Sequence, residues 1–110
     1  MKVSLKDTRA SDHIDFKASF YLEKSDGKAL NALLVDCKKR HYRARLNGAT
    51  RIYLVLEGSG TFTINDETAV AELYDLFVVE SGDAYAYKGE MRLFECNVPA
   101  TDSANEDQLE

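Results

Sequence analysis

The chain has no tryptophan, one proline, two cysteines and two histidines among its 110 residues, and each scarcity removes a class of protein. Cys37 and Cys96 stand far apart, in no CxxC or other metal-like spacing, which excludes a disulfide-built scaffold and a thiolate zinc site. Two free, reduced thiols in a cytoplasmic domain are expected. The single proline, Pro99, and the lack of any low-complexity stretch leave no linker, so one domain is expected. No run approaches the roughly 18 apolar residues of a membrane-spanning helix. The start, Met1-Lys-Val-Ser-Leu-Lys-Asp7, lacks the apolar core of a secretory signal. These two absences point to a cytoplasmic location without a membrane partner. Positive charge is also in deficit, with 14 Lys and Arg against 19 Asp and Glu and a net charge of −5. That balance argues against a nucleic-acid partner, which needs clustered cations to neutralise phosphates. Lys38, Lys39, Arg40, Arg43 and Arg45 form a basic cluster, but on a strand they alternate between faces and suit a charged edge.

What the chain has instead is alternation. Short β-branched and aromatic runs recur between turn signals, the pattern of a sandwich or barrel. Strands are predicted over Ile14–Leu22, Ala29–Val35, Arg40–Leu46, Arg51–Leu56, Thr61–Ile64, Leu76–Val79, Tyr85–Tyr87 and Met91–Val98. Gly58-Ser-Gly60 tolerates positive φ and predicts a hairpin between its flanking strands. Asp66–Leu73 has helical composition, but Val70, Glu72 and Tyr74 alternate, and a strand is preferred there. Residues 12–99 are expected to form the barrel. Residues 100–110, with Asp102, Glu106, Asp107 and Glu110 and little to anchor them, read as a trailing, partly mobile acidic tail. All-β is the predicted class.

Three segments carry a family resemblance. Tyr53-Leu-Val-Leu-Glu-Gly-Ser-Gly60 runs a hydrophobic strand into Glu-Gly-x-Gly. Asp75-Leu-Phe-Val-Val-Glu-Ser-Gly82 feeds an apolar strand from an acidic turn. Met91-Arg-Leu-Phe-Glu-Cys-Asn-Val-Pro99 closes the series. Together, from about Leu46 to Ala100, they resemble the cupins, small β-barrels of the double-stranded β-helix or jelly-roll type. The resemblance implies metal ligands at four positions, and here these are Arg45 and Asn47 in place of histidines, Arg51 in place of glutamate, and Tyr85 in place of histidine. Imidazoles and carboxylates bind divalent metals, whereas a guanidinium has no lone pair and repels them. No metal and no cofactor are therefore expected. Neither His13, in a lead read as unstructured, nor His41, with no nearby carboxylate in the sequence, is assigned a role.

By the same resemblance the ligand positions face inward, so Arg45, Asn47, Arg51 and Tyr85 should line the barrel mouth. Period-two alternation adds Arg43, Tyr53 and Tyr87. Forked guanidinium donors and phenols suit a small anionic or sugar-like molecule, and binding such a ligand is the first functional expectation. A metal-independent isomerase, epimerase or cyclase acting on a small carbohydrate or carboxylate is the second. It would use a Tyr85 or Tyr87 phenolate favoured by Arg51. The third is a structural barrel filled by its own side chains, with Arg51 paired to Glu57, Glu80 or Glu95. A homodimer is also expected, as small cupins commonly pair, with the apolar strand Phe16–Phe20 as a candidate interface.

Overall fold

Apolar residues at every second position give most strands one dry face, and two such sheets close on each other. The computed structural model describes residues 1–110 and contains eleven strands. They are β1 (Arg9–Asp12), β2 (Phe16–Leu22), β3 (Asn31–Cys37), β4 (Arg40–Leu46), β5 (Thr50–Gly58), β6 (Gly60–Ile64), β7 (Glu67–Ala71), β8 (Leu76–Val79), β9 (Ala84–Lys88), β10 (Met91–Val98) and β11 (Glu106–Gln108). One antiparallel sheet has the order β1-β2-β3-β10-β5-β8 and the other β11-β4-β9-β6-β7. The all-β jelly-roll expectation is met, and Asp66–Leu73 contains a strand, β7, and no helix.

Three local expectations fail, each for a topological reason. β5 and β6 form no hairpin, because β5 pairs with β10 and β8 while β6 pairs with β7 and β9 in the opposite sheet. The Gly58-Ser-Gly60 loop is the corner where the chain changes sheets. At Gly58, φ is +78° and an added Cβ would lie 2.0 Å from the Glu90 carbonyl oxygen, so close passage of the 88–90 turn requires glycine. The barrel does not begin at residue 12, since β1 pairs with β2 from Arg9 onward. The acidic tail is not loose either. A 3-10 turn at Ser103–Asn105 leads into β11, which pairs Glu106, Asp107 and Gln108 with Leu46, Arg45 and Ala44 of β4.

The core grades from apolar to polar along the six-stranded sheet. Its inner face is built in cross-strand rows. Val35, Leu93 and Val55 form one, Leu33, Glu95 and Tyr53 the next, and Asn31, Asn97 and Arg51 the last. All of these residues are buried. Phe62, Tyr85, Tyr87 and Leu46 close over them from the other sheet. Polar side chains therefore gather at one end of the interior. Buried polar groups are stable only when partnered, so that end must be organised.

Candidate functional site

Arg51 lies at the centre of the polar end, only 7% exposed. Its Nε donates to Asn97 Oδ1 at 2.5 Å and lies 3.2 Å from Glu95 Oε2. Its Nη1 donates to the Tyr85 hydroxyl at 2.6 Å and to Glu106 Oε1 at 2.8 Å. Asn97 in turn donates to Glu95 at 2.9 Å. Tyr85 donates to the same Glu106 oxygen, and Tyr42 reaches the other at 3.4 Å. One buried cation is thus held by two carboxylates, one from β10 and one from β11.

The His41 ring stands beside this cluster, 5.2 Å from the Tyr85 ring, 5.1 Å from Tyr87 and 4.8 Å from Phe16, centroid to centroid. A bulge places it there. Between His41 and Ala44, β4 spends one residue more than its partner β9, so both side chains face the interior. His41 Nδ1 lies 2.6 Å from the Tyr42 carbonyl oxygen. A carbonyl can only accept, so Nδ1 carries the proton and Nε2 keeps its lone pair.

A cavity of about 230 Å³ opens between the sheets beside these groups. His41, Arg51, Tyr87 and Glu106 line it together with Phe16 and Asn31. A larger groove of about 810 Å³ runs past Cys37 and Met91 at the apolar end. Its charged lining residues are exposed, as Lys17 and Glu57 are, or half-buried, as Asp36 and Arg92 are, and the buried polar chemistry lies in the smaller cavity.

Burial and pairing set the protonation states. Burial opposes the Arg51 cation, but Glu95, the Tyr53 and Tyr85 hydroxyls and Glu106 outweigh it and raise the pKa above the ordinary arginine value. Burial also opposes ionised Glu106, yet Arg51 and the Tyr85 hydroxyl hold its pKa below the usual carboxylate range. Burial lowers the pKa of His41, with Glu106 offsetting only part of that effect, so the imidazole is neutral at pH 7. Tyr53, Tyr85 and Tyr87 are pushed well above 10 by burial. This corrects the expectation of a phenolate beside Arg51, because desolvation outweighs the neighbouring cation.

Of the seven residues expected in the barrel mouth, the structure brings four together: Arg51, Tyr53, Tyr85 and Tyr87 are all buried in the interior. The inward placement of Arg43, Arg45 and Asn47 is corrected. Arg43 and Arg45 are exposed, Arg45 donates to the Gly82 carbonyl at 2.7 Å, and Asn47 donates to Asp107 at 3.0 Å. The cause is alternation on β4, where Ala44 and Leu46 take the interior positions. Phe16 and Phe20, the ends of the strand expected at a dimer interface, line the cavity. Sequence reasoning missed Glu106, which was assigned to a tail, and His41, which it left without a role. Glu95 and Asn97 share the inward phase of Met91 and Leu93, which residue types alone do not mark, since Phe94, Cys96 and Val98 make the opposite phase the more apolar one.

The donor set does not fit the metal that the cupin resemblance would bring. No three His, Cys, Asp or Glu side chains converge as ligands. The two inward carboxylates are already bound to the Arg51 guanidinium, which offers no lone pair and repels a divalent cation.

By sequence the chain matches no protein-family model and no curated protein. By structure it is similar to Pac13, a Streptomyces nucleoside dehydratase, at a TM-score of 0.88 and 19% identity over 100% of this chain and 91% of that one. Further structures of that protein are of variants with uridine, one with a histidine exchanged for glutamine and two with a tyrosine exchanged for phenylalanine. It is also similar to ectoine synthase from P. lautus, with a TM-score of 0.83 and 13% identity over 100% of this chain and 90% of that one. The cupin domain of Schizosaccharomyces pombe Cnp3 gives 0.72 and 20%, over 92% and 74%. At these identities the likeness establishes the fold: the chain is a small cupin-like protein.

Proposed function

We propose that the cavity binds a small, neutral, polyhydroxylated molecule of the sugar or nucleoside kind and removes water from it by proton transfer, without a metal. The observation that carries this reading is His41, a buried neutral imidazole whose Nδ1 is committed to the Tyr42 carbonyl at 2.6 Å, leaving Nε2 as a base in the cavity wall. Tyr87 lines the same cavity, and its buried hydroxyl has no hydrogen-bond partner.

A base of this strength takes a proton only from carbon next to a carbonyl, so the substrate is a sugar or nucleoside derivative bearing one. Nε2 takes that proton and the C–H electron pair forms a carbon–carbon double bond. The C–O bond at the next carbon breaks, and the imidazolium returns the proton to the departing hydroxide, which leaves as water. Tyr87 stays protonated and donates a hydrogen bond to the departing oxygen, in keeping with its raised pKa. Glu106 and Glu95 favour the transient imidazolium. Arg51 has its charge offset by these same carboxylates, so the wall is anionic in sum and favours a neutral ligand over an anionic one. The open cavity and its unpartnered polar atoms speak against a barrel filled by its own side chains. The volume is below the roughly 300–1,000 Å³ of drug-sized sites and suits a monosaccharide or nucleoside. A nucleoside dehydratase among the structural neighbours, studied with histidine and tyrosine exchanges, supports the same chemistry.

The test is proton NMR in D2O with a panel of sugar and nucleoside aldehydes. Wild-type protein should exchange the proton next to the carbonyl and then eliminate water for at least one of them. His41→Gln should lower both rates by about 10²–10⁴-fold, and Tyr87→Phe should slow elimination more than exchange. Inactivity of the wild type on the whole panel, or full activity of His41→Gln, overturns the proposal.

A further inference from the structure

A second cavity-lining residue carries a buried polar atom without a partner. Asn31 opens β3 and is 2% exposed. Its Nδ2 donates to the Thr101 carbonyl at 2.9 Å and lies 3.4 Å from the Thr101 hydroxyl. The carbonyl can only accept, which fixes the amide orientation and turns Oδ1 away as an acceptor. That oxygen has no hydrogen-bond partner in the protein. Asn31 and Thr101 both line the cavity, and Asn31 belongs to the polar row that also holds Asn97 and Arg51. Asn97, its cross-strand neighbour, has both ends of its amide engaged, one accepting from Arg51 and the other donating to Glu95.

This contrast has a physical meaning. A buried acceptor without a donor is unfavourable and is retained where something else fills it. Thr101 supplies the anchor by holding the amide in one orientation, so the oxygen is pre-organised before a ligand arrives. The other wall groups differ in kind. His41 Nε2 is a base, the Tyr87 hydroxyl both donates and accepts, and Glu106 is a charged acceptor already engaged by Arg51, Tyr85 and Tyr42. Asn31 Oδ1 is a neutral acceptor of fixed orientation, buried at the cavity's edge and left without a donor.

We propose that Asn31 is a specificity-determining residue of this cavity, its Oδ1 accepting a hydrogen bond from an O–H or N–H group of the ligand. The inference rests on the proposed function for the identity of the cavity as the site, and it adds the demand for a donor on the ligand. A sugar hydroxyl and the imide N–H of a uracil-type base both meet that demand. A molecule presenting only acceptors at this position is rejected, because it would leave Oδ1 desolvated and face it with another lone pair.

The experiment is calorimetric titration of wild type and Asn31→Leu with four probes: uridine, 3-methyluridine, 2′-deoxyuridine and 3′-deoxyuridine. Wild type should bind uridine and lose roughly 10–100-fold in affinity for the analogue lacking the donor that Asn31 reads. Loss with 3-methyluridine identifies the imide, and loss with a deoxy analogue identifies a hydroxyl. Asn31→Leu should bind uridine as weakly as that analogue and no longer tell the two apart. A variant that binds uridine like wild type, or that keeps the discrimination, overturns the assignment to Asn31 and leaves the His41 chemistry standing. Wild type that binds none of the four probes overturns this assignment, while the aldehyde panel separately judges the chemistry. Should Asn31→Leu fail to fold, the side-chain amide resonances of Asn31 in wild type decide. They should shift on saturation with uridine, and unmoved resonances overturn the proposal.

Discussion

Arg51 and Glu106 meet at 2.8 Å although 55 positions separate them in the chain. The contact ties the last strand to the barrel interior, because Glu106 reaches Arg51 only when β11 is paired along β4. Removing the carboxylate leaves Arg51 with Glu95 as its one remaining counter-charge and the Tyr85 hydroxyl proton without its acceptor. Glu106→Ala should therefore cost about 3 kcal/mol, the low end for breaking a buried pair, since Glu95 still holds Nε. Glu106→Gln keeps an acceptor and should cost about 1–2 kcal/mol. Urea unfolding checks both, and equal midpoints for wild type and Glu106→Ala would show that the tail contributes nothing to the core.

The same groups make stability depend on pH. The folded pKa of His41 lies below its ordinary 6.5, so its neutral burial favours folding fully above pH 6.5. That contribution is lost as pH falls from 6.5 through the folded pKa. Glu106 also has a lowered folded pKa, so its contribution is present above its ordinary 4.5 and is lost at still lower pH. Stability should decline in two stages on acidification. In His41→Gln the decline just below pH 6.5 should flatten while the one below 4.5 remains. Urea midpoints at pH 8, 6, 5 and 4 read this directly, and an unchanged upper stage in the variant would remove His41 as its source.

The legibility of this chain follows from what period-two alternation can and cannot carry. β4, β8 and β10 fall on their predicted bounds because turn signals mark their ends. Arg51 and Tyr53 on β5, and Tyr85 and Tyr87 on β9, share one interior because each pair lies two residues apart on its strand. Arg43, Arg45 and Asn47 point away from the interior because Ala44 and Leu46 set the inward phase of this stretch, against the phase that the cupin ligand positions imply. His41 enters the interior through a bulge, which breaks the alternation and leaves no signature in residue types. Glu106 was hidden for a different reason. A three-residue strand of Glu, Asp and Gln has no apolar pattern, and its place depends on partners from β4 and β5 that only the fold supplies. Sheet exchange at Gly58 is equally silent, since a corner and a hairpin call for the same glycines.

Arg51 occupies the position where the cupin resemblance puts a glutamate ligand, and reversing the exchange should not create a metal site. In Arg51→Glu three carboxylates would crowd one buried end, while Arg45 and Asn47 remain outside the barrel. The expected outcome is loss of roughly 3–5 kcal/mol or more from uncompensated buried charge, with no stoichiometric zinc, iron or manganese by elemental analysis. Arg51→Lys should also destabilise, because an ammonium cannot reproduce the fork that serves Asn97, Tyr85 and Glu106 together. Stoichiometric metal in either wild type or Arg51→Glu would refute this account of the site.

Two glycines with nearly the same backbone angle should respond differently to the same substitution. Gly27 has φ of +74° and Gly58 of +78°, so alanine at either costs the left-handed penalty of about 1–2 kcal/mol. At Gly27 nothing lies within 4 Å of the added Cβ, and the penalty should be the whole effect. At Gly58 the Cβ would sit 2.0 Å from the Glu90 carbonyl oxygen and 3.1 Å from the Met91 Cα, both backbone atoms that cannot rotate away. The corner between the sheets would have to open, and Met91, which pairs with Gly58 and Cys37, would move with it. Gly58→Ala should therefore lose several kcal/mol more than Gly27→Ala, enough to leave a domain of ordinary stability largely unfolded. Thermal unfolding of the two variants side by side decides the matter. Equal shifts would mean that the 88–90 turn yields without cost, and that the sheet corner is set by φ alone.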